Sequence, residues 1–371
     1  MLQPMTDAQL QRALALRDLT DPDAGEHCMQ QLVAASMAAL ARRWGTEVHV
    51  RRRSRVVSVA DNYDALRYPP EGVARDARYT RYLSASTMLR SQMSAIVPGA
   101  LRELADRRPD DALVACPGIV YRRDVIDRLH VGEPHQLDLW RATRRTMSES
   151  DLEGMVADVC AVLAPGSPVR SMPTHHPYTL AGREIEVRTD RGWVELGECG
   201  LAHPEVLAAS GLRGYSGLAM GIGLERAVML RKGIDDIRAL REPDPRVAGQ
   251  MLDLDPYRPI SLQPAATRDL SLAARPGRDD VELAERVRDA LGAAAEWVEE
   301  VRILSRTPAA ELSPAVRRRI GLGHEQENLL VRVVLRHPAR SLARPEANAL
   351  RDRMYAALHE GGESVWATTA T

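Results

Sequence analysis

The segment from Gly221 to Arg226, with the sequence Gly-Ile-Gly-Leu-Glu-Arg, most restricts what this chain can fold into. Its glycines let the backbone approach a ligand closely, and the pattern after them predicts a helix from Leu224 to Lys232 that stops at Gly233. A dinucleotide fingerprint would need glycine in place of Arg226, inside a βαβ unit. Because arginine offers a permanent planar cation, the segment predicts a phosphate site. The alternative is a glycine-rich lead-in to a core helix with an exposed arginine.

A second segment, from Gly118 to Asp138, supplies further charges suited to a nucleotide and an amine. Arg122 and Asp124 fall on one face of a predicted strand at a spacing of two. Gln136 and Asp138 repeat that spacing on what reads as the returning strand. The cation suits an α-phosphate, and the acceptor groups suit an ammonium. For any one of these residues, a surface hairpin salt bridge is the alternative.

Composition restricts the class of protein further. The 371 residues suffice for two domains, and a hydrophobic share of 44% with 27% charged residues is typical of a globular protein. No apolar run is long enough to span a membrane, and the N-terminus is unlike a signal peptide. The four cysteines form no CxxC pair, so neither disulfides nor a zinc ribbon are predicted and a reducing cytoplasm fits. A net charge of −1 argues against indiscriminate nucleic-acid binding.

The C-terminal third has a regular alternation of patterns. Prolines concentrate between residues 235 and 260, which predicts a domain boundary there. Beyond it, alternating and helical patterns follow the order β-α-β-β-α-β, the ferredoxin-like split motif. The predicted elements are a strand at Leu270–Leu272, a helix capped by Asp280, strands at Val298–Leu304 and Leu329–Leu335, a helix opened by Pro345, and a last strand at Ser364–Ala367.

These segments together resemble the phenylalanyl-tRNA synthetase family, in which a class II aminoacyl-tRNA synthetase core precedes a ferredoxin-fold anticodon-binding domain. The Gly221–Arg226 segment resembles motif 3 of class II enzymes, and Gly118–Asp138 resembles motif 2. The resemblance covers residues 60–360 in family order and implies an α+β fold with an antiparallel catalytic sheet. It implies an N-terminal region at 1–60, the core at 61–245 and the anticodon-binding domain at 257–371. Further matching segments are Asp61–Leu66, Met88–Ser94, Trp193–Gly200, Gly217–Gly221 and Ala266–Leu272.

The resemblance also implies a two-step reaction that uses ATP and Mg²⁺. An amino acid is activated as its adenylate and then transferred to a tRNA, which the resemblance makes the phenylalanine tRNA. The implied catalytic residues are Arg122, His130 and Arg226, and the implied ATP-binding residues are Arg122, Asp124, Pro134, Gly221, Gly223 and Arg226. The implied amino-acid-binding residues are Ser94, Gln136, Asp138, His176, Tyr178, Thr179 and Ala219, with Glu195 or Glu198 as candidate Mg²⁺ ligands.

Several residues depart from the family pattern where the substrate ring should bind. Two family phenylalanines are His176 and Tyr178 here, the adenine-stacking phenylalanine is Pro134, and the ammonium-binding glutamate is the shorter Asp138. One hypothesis is a changed amino acid, such as a hydroxylated or amino-substituted aromatic one, because buried polar groups favour a substrate that pairs them. Another is that these changes accompany the complete loss of phenylalanine from the chain. A third is a paralogue that no longer charges tRNA.

The chain's lack of phenylalanine is itself unusual for this length. One hypothesis is that the enzyme places another amino acid on the phenylalanine tRNA, since a chain without phenylalanine codons would then still be made intact. Chance combined with genome bias is the alternative. Two other functions stay open besides the synthetase: an adenylating ligase that loads a carrier, and a non-catalytic tRNA-binding paralogue. The expected partners are tRNA and an amino acid, without a membrane, and the chain is expected to be a monomer or homodimer.

Overall fold

The computed structural model describes residues 4–190, 192–260 and 265–363. They form two compact units. Of these residues, the N-terminal unit comprises 4–122, 133–190, 192–234 and 250–257, and the C-terminal unit comprises 123–132, 235–249, 258–260 and 265–363. The predicted division at 1–60, 61–245 and 257–371 stays a prediction.

A seven-stranded sheet organises the N-terminal unit. Its order is β1-β4-β5-β9-β8-β7-β6, and every neighbouring pair is antiparallel except β1 with β4. Strand β4, next to the edge strand β1, reads as a nearly continuous apolar run and is buried along almost its whole length, as expected for a strand covered on both faces. The strands are β1 Val48–Val50, β2 Val56–Ser58, β3 Thr87–Leu89, β4 Asp111–Ile119, β5 His135–Thr143, β6 Val169–Pro173, β7 Thr179–Thr189, β8 Gly192–Ala202 and β9 Ser216–Gly223. The pair β2 and β3 forms a separate two-stranded sheet.

Helices complete this unit. Helix α2 buries one face, which includes Met29, Leu32, Val33 and Leu40. The prediction for α7 is confirmed at both ends, with Gly233 in the left-handed conformation at φ 68°. The helices are α1 Asp7–Ala15, α2 Cys28–Trp44, α3 Val59–Asn62, α4 Val97–Arg107, α5 Glu149–Leu163, α6 Pro204–Ala209 and α7 Leu224–Lys232.

The C-terminal unit contains a three-stranded antiparallel sheet of order β10-β12-β11. Its elements follow the predicted order as far as α11, except for a short helix at Pro314–Arg319 between the second and third strands, which was not predicted. Asp279 rather than Asp280 is the N-cap of α9, because the Asp279 side chain accepts from Glu282 N. The predicted last strand lies outside the described residues, so the full ferredoxin-like motif stays a prediction. The elements are α8 Pro245–Ala248, β10 Ala266–Ala274, α9 Asp280–Leu291, β11 Val298–Pro308, α10 Pro314–Arg319, β12 Glu327–Leu335 and α11 Arg344–Leu358.

Lys232, the last residue of α7, is the chain's single lysine and its side chain is almost fully buried. Its ammonium donates to the Asp253 carbonyl at 2.9 Å, the Asp253 carboxylate at 3.1 Å and the Asp255 carbonyl at 2.5 Å. Its own carbonyl accepts from Tyr257 N. These contacts fasten segment 250–257 to the end of α7.

The four cysteines are free and buried. Burial raises the pKa of the Cys28 and Cys160 thiols to about 11 and that of Cys199 to about 12, and it also raises the pKa of Cys116. Within the described part of the chain, no helix combines the length and apolarity needed to cross a membrane.

Candidate functional site

Three side chains line one face of β5, directly opposite three very small residues of β9. Gln136 pairs with Gly223, Asp138 with Gly221, and Trp140 with Ala219. Because side chains two apart on a strand point to the same face, the three β5 side chains form a continuous row. The three β9 residues opposite them leave the neighbouring row almost without side chains. The sheet therefore carries a shallow trough at its centre, with a carboxylate in the middle.

Asp138 is only 2% exposed. Its carboxylate accepts from the Ser94 hydroxyl at 2.8 Å and, weakly, from the Trp140 indole N–H at 3.4 Å. The pKa of Asp138 is raised to about 6, mainly by burial and also by the Glu198 carboxylate, against the opposing hydrogen bonds from Ser94 and Trp140 and the Arg122 guanidinium. A buried carboxylate with so little cationic compensation is well suited to receive an ammonium group.

The glycines of β8 and β9 are not all needed for the same reason. A Cβ on Gly221 would lie 3.6 Å from the Asp138 carboxylate, and one on Gly223 would lie 3.7 Å from the Leu196 carbonyl, which are ordinary contacts. In contrast, a Cβ on Gly197 or Gly217 would overlap a backbone carbonyl of the neighbouring strand. Packing therefore demands glycine at 197 and 217, whereas glycine at 221 and 223 keeps the trough open above the sheet.

Aromatic rings close one side of the trough. Tyr178 lies at the centre of this aromatic cluster, with ring centroids 6.0 Å from Trp140, 6.2 Å from Tyr68 and 5.7 Å from His176. Its hydroxyl is hydrogen-bonded with Ser94, while burial raises the pKa of the phenol well above its usual value. Tyr68 is anchored from behind, since its hydroxyl donates to the Gln92 side chain at 3.0 Å.

Carboxylates gather on the other side, across β7 and β8. Glu184 pairs in register with Glu198, and Glu186 with Glu195. Burial and the neighbouring carboxylates raise the pKa of Glu184. Arg226 donates to the Glu195 carboxylate at 2.9 Å, and His176 Nε2 lies 2.7 Å from the Glu198 carboxylate. One predicted phosphate ligand thus contacts one predicted metal ligand.

These carboxylates fit Mg²⁺ in their chemistry. Mg²⁺ takes oxygen donors and usually binds through one or two carboxylates together with substrate phosphates. Among the described residues, no group of three or more acidic, histidine or cysteine side chains is arranged to hold a metal by itself. Glu195 and Glu198 therefore suit an ion that arrives with a nucleotide.

The remaining predicted residues are placed as follows. Arg122 donates through Nε to the Ser91 carbonyl at 2.7 Å and acts electrostatically on Asp138. Pro134 begins the return into β5, its carbonyl accepting from Val120 N. Thr179 is buried where a Cβ on Gly200 would touch it. Asp124 and His130 belong to the C-terminal unit, where His130 Nδ1 lies 2.8 Å from the Asp127 carboxylate.

Sequence reasoning missed two residues of the site and one supporting pair. The spacing of two that joins Gln136 to Asp138 continues to Trp140, so that residue had a usable signal. Tyr68 had none. Glu225, inside the Gly221–Arg226 segment, accepts from the backbone and ring of His135 at 2.6–2.9 Å. Because His135 starts β5, this contact ties the helix after the glycines to the strand that carries Asp138.

Comparison with known proteins identifies the family of this fold. The family model described as tRNA synthetases class II core domain (F) matches residues 22–251. The phenylalanine–tRNA ligase alpha subunit of Prochlorococcus marinus strain NATL2A is 36% identical over 191 residues, covering 51% of this chain and 56% of that protein. The alpha subunit from Teredinibacter turnerae is 35% identical over 190 residues, covering 49% and 56%. The chain thus spans about half the length of the curated relatives it matches.

A solved structure is also similar at lower identity. A pyrrolysyl-tRNA synthetase from Desulfitobacterium hafniense matches with 15% identity and a TM-score of 0.44, covering 63% of this chain and 77% of that one. The family match spans well over half of this chain. The fold defines a class II tRNA synthetase core of α+β type, as predicted. The chain belongs to the phenylalanyl-tRNA synthetase family.

Proposed function

We propose that this protein is an ATP-dependent aminoacyl-tRNA synthetase of the phenylalanyl type. It activates an amino acid as its adenylate and transfers the acyl group to a tRNA. The observation that carries the proposal is the buried Asp138 carboxylate in a trough that leads, through two side-chain-free glycines, to Arg226. One end of this trough suits an ammonium and the other a phosphate chain, which are the two ends of an aminoacyl adenylate and its leaving group.

The first step joins the amino acid to ATP. An oxygen of the amino acid carboxylate attacks the α-phosphorus, and pyrophosphate leaves with the electron pair of the broken phosphoanhydride bond. Asp138 would hold the ammonium, and Gln136, whose side-chain oxygen accepts from Met93 N at 2.9 Å, is fixed beside it. The gain comes from orientation and charge stabilisation, since the protein supplies no nucleophile.

Two arginines would stabilise the phosphates. Arg122 would neutralise charge on the α-phosphate, and Arg226 would hold the γ-phosphate end, exchanging its contact with Glu195 for the nucleotide. When bound, Mg²⁺ supplies charge neutralisation between phosphate oxygens, and Glu195 and Glu198 would hold it. Asp124 and His130 remain predicted phosphate-side residues, and Pro134 lines the predicted adenine position.

The second step transfers the acyl group. A ribose hydroxyl at the 3′ end of the tRNA attacks the acyl carbon, and AMP leaves with the electrons of the mixed anhydride. The phenylalanine tRNA is the acceptor that the family resemblance suggests. A cytoplasmic location would follow from this role in translation. The amino acid predicted from the sequence is phenylalanine or a related aromatic one.

Amino-acid-dependent exchange of pyrophosphate into ATP tests the proposal. The wild-type chain should support exchange with at least one amino acid of a full panel, and should charge tRNA with it. Arg226→Ala should lower exchange by at least about a hundredfold, because an oriented charge on the phosphates is lost. Arg231→Ala, an exposed arginine on the same helix, is the matched control and should keep full activity. Exchange that persists in Arg226→Ala would contradict the assigned role.

A further inference from the structure

The side of the trough next to Asp138 is already filled by the protein's own rings. Trp140 is fully buried, Ala219 opposite it is 1% exposed, and Tyr178 is 8% exposed. All three belong to the main hydrophobic core of the N-terminal unit, and Tyr68 packs against it. Close-packed cores have no spare volume for a further ring.

The direction of a bound amino acid follows from the two ends of the trough. If its ammonium contacts Asp138, its carboxylate must point toward Gly223 and Arg226, where the phosphates would bind. The remaining substituent on the α-carbon then points back along β5, toward Trp140. Little space is available in that direction, because the Trp140 indole occupies the next position on the same face of the strand.

We infer that Trp140 is the residue that determines specificity and that the site accepts a small, uncharged amino acid of the glycine, alanine or serine class. The inference rests on the proposed function, since it assumes that an amino acid binds at Asp138. A phenyl ring would have to displace Trp140 or Tyr178 from a core in which both are anchored. Trp140 is held by its N–H donation to Asp138 and Tyr178 by Ser94. Small substrates need no such displacement.

The polar groups near Asp138 and Trp140 also suit a small, uncharged amino acid side chain. Ser94 and Tyr178 present hydroxyls beside Asp138, so a methyl or hydroxymethyl side chain meets a surface that is part apolar and part hydrogen-bonding. A charged side chain would lie against Trp140 without a partner, which carries a large desolvation cost.

Two unreactive adenylate mimics test the inference. Alanyl- and phenylalanyl-sulfamoyl adenosine would be titrated against the full chain by calorimetry, alongside exchange and tRNA charging with alanine and phenylalanine. Wild type should bind the alanyl mimic at least about tenfold more tightly, the discrimination that a few methylene-sized groups provide. Trp140→Leu should shift that ratio toward the phenylalanyl mimic by at least about tenfold. Trp193→Leu is the matched control and should leave the ratio unchanged, because Trp193 lies near the turn between β7 and β8, with its ring centroid 4.3 Å from the Arg170 guanidinium.

The outcomes separate the inference from the proposed function. Tighter binding of the phenylalanyl mimic by wild type overturns the inference, and if phenylalanine is then charged onto tRNA the proposed function stands. Preference for the alanyl mimic without any tRNA charging overturns the proposed function alone. Failure of both mimics to bind overturns both. Since the wild-type ratio needs no variant, the result holds even if Trp140→Leu does not fold, whereas a folded Trp140→Leu with an unchanged ratio removes Trp140 from the role.

Discussion

Asp138 shows how a single residue can serve binding at the expense of stability. Its carboxylate is buried, accepts two side-chain hydrogen bonds and has a pKa of about 6 against an ordinary value of 3.8. Between those two values the folded chain holds a proton that the unfolded chain has lost. Stability from this group therefore falls as the pH rises from about 4 to above 6, by ~3 kcal/mol at most.

Replacing this carboxylate with its neutral isostere should therefore stabilise the protein. Asp138→Asn keeps an acceptor for Ser94 and Trp140 and removes the buried charge. We expect its free energy of unfolding at pH 8 to exceed that of wild type by ~1–3 kcal/mol, and its exchange activity to be lost. Urea denaturation at pH 8 and pH 4.5 measures this. The advantage should shrink at the lower pH, where wild type is itself largely protonated; a variant less stable than wild type at pH 8 would refute this reading of Asp138.

For wild type, the pH profile of amino acid activation gives the same information from the functional side. Since only the ionised carboxylate attracts an ammonium, exchange at subsaturating amino acid should decline as the pH falls through about 6. The profile measured at saturating ATP isolates the amino acid site. A flat profile between pH 5 and pH 8 would show that the ammonium does not depend on Asp138.

At the scale of elements, local signals predicted the structure well and long-range contacts were not predictable. The ends of α7 followed from glycines on both sides, and the returning strand β5 followed from the spacing of Gln136 and Asp138. The predicted strand through Arg122 and Asp124 was wrong, because β4 ends at Ile119 and Arg122 forms only an isolated bridge with Thr80. In contrast, segment 123–132 joins the C-terminal unit, where Arg288 donates to the Asp124 and Val125 carbonyls. No local pattern reveals a partner more than 160 positions away.

The site was predictable to a similar extent. Residues fixed by strand spacing, such as Asp138 and Gly221, were identifiable because their positions depend on one pair of strands. Tyr68 enters the aromatic cluster from a loop, so its contribution depends on how that loop packs. The role of Trp140 depends on the volume around it, which the residue pattern alone does not specify.

Two glycines of adjoining strands give a test at this scale. Gly197→Ala places a Cβ against the Gly221 carbonyl and should force β8 away from β9, lowering the free energy of unfolding by at least ~3 kcal/mol. Gly221→Ala makes only an ordinary contact with Asp138 and should fold with nearly unchanged stability, while amino acid activation falls because the new methyl group stands in the trough. Thermal denaturation and exchange assays on both variants measure the contrast. Equal stability of the two would show that the backbone absorbs the Gly197 overlap.

At the scale of the whole molecule, the chain leaves the N-terminal unit after Ile234 and returns to it at Gln250. Lys232 fastens that return through Asp253 and Asp255. Lys232 is the single lysine and its side chain is buried. A lysine-specific reagent can therefore reach it only when segment 250–257 detaches from α7.

Amine labelling should therefore report the opening of this segment. With an acylating reagent at pH 8, Lys232 in the folded protein should be labelled at least about a hundredfold more slowly than in urea above the unfolding midpoint, equivalent to ~3 kcal/mol of opening. Mass spectrometry of the peptide that contains Lys232 measures the label. Rapid labelling of Lys232 without denaturant would show that segment 250–257 opens on its own.

The buried cysteines have a consequence for how this protein can be manipulated. With four thiols held in the protonated form by their surroundings, the native surface offers electrophiles almost nothing to react with, because the thiolate is the reactive species. A cysteine introduced on the surface would then be the one addressable handle. Fluorescent or spin probes could be attached at a chosen position without first replacing the four native cysteines.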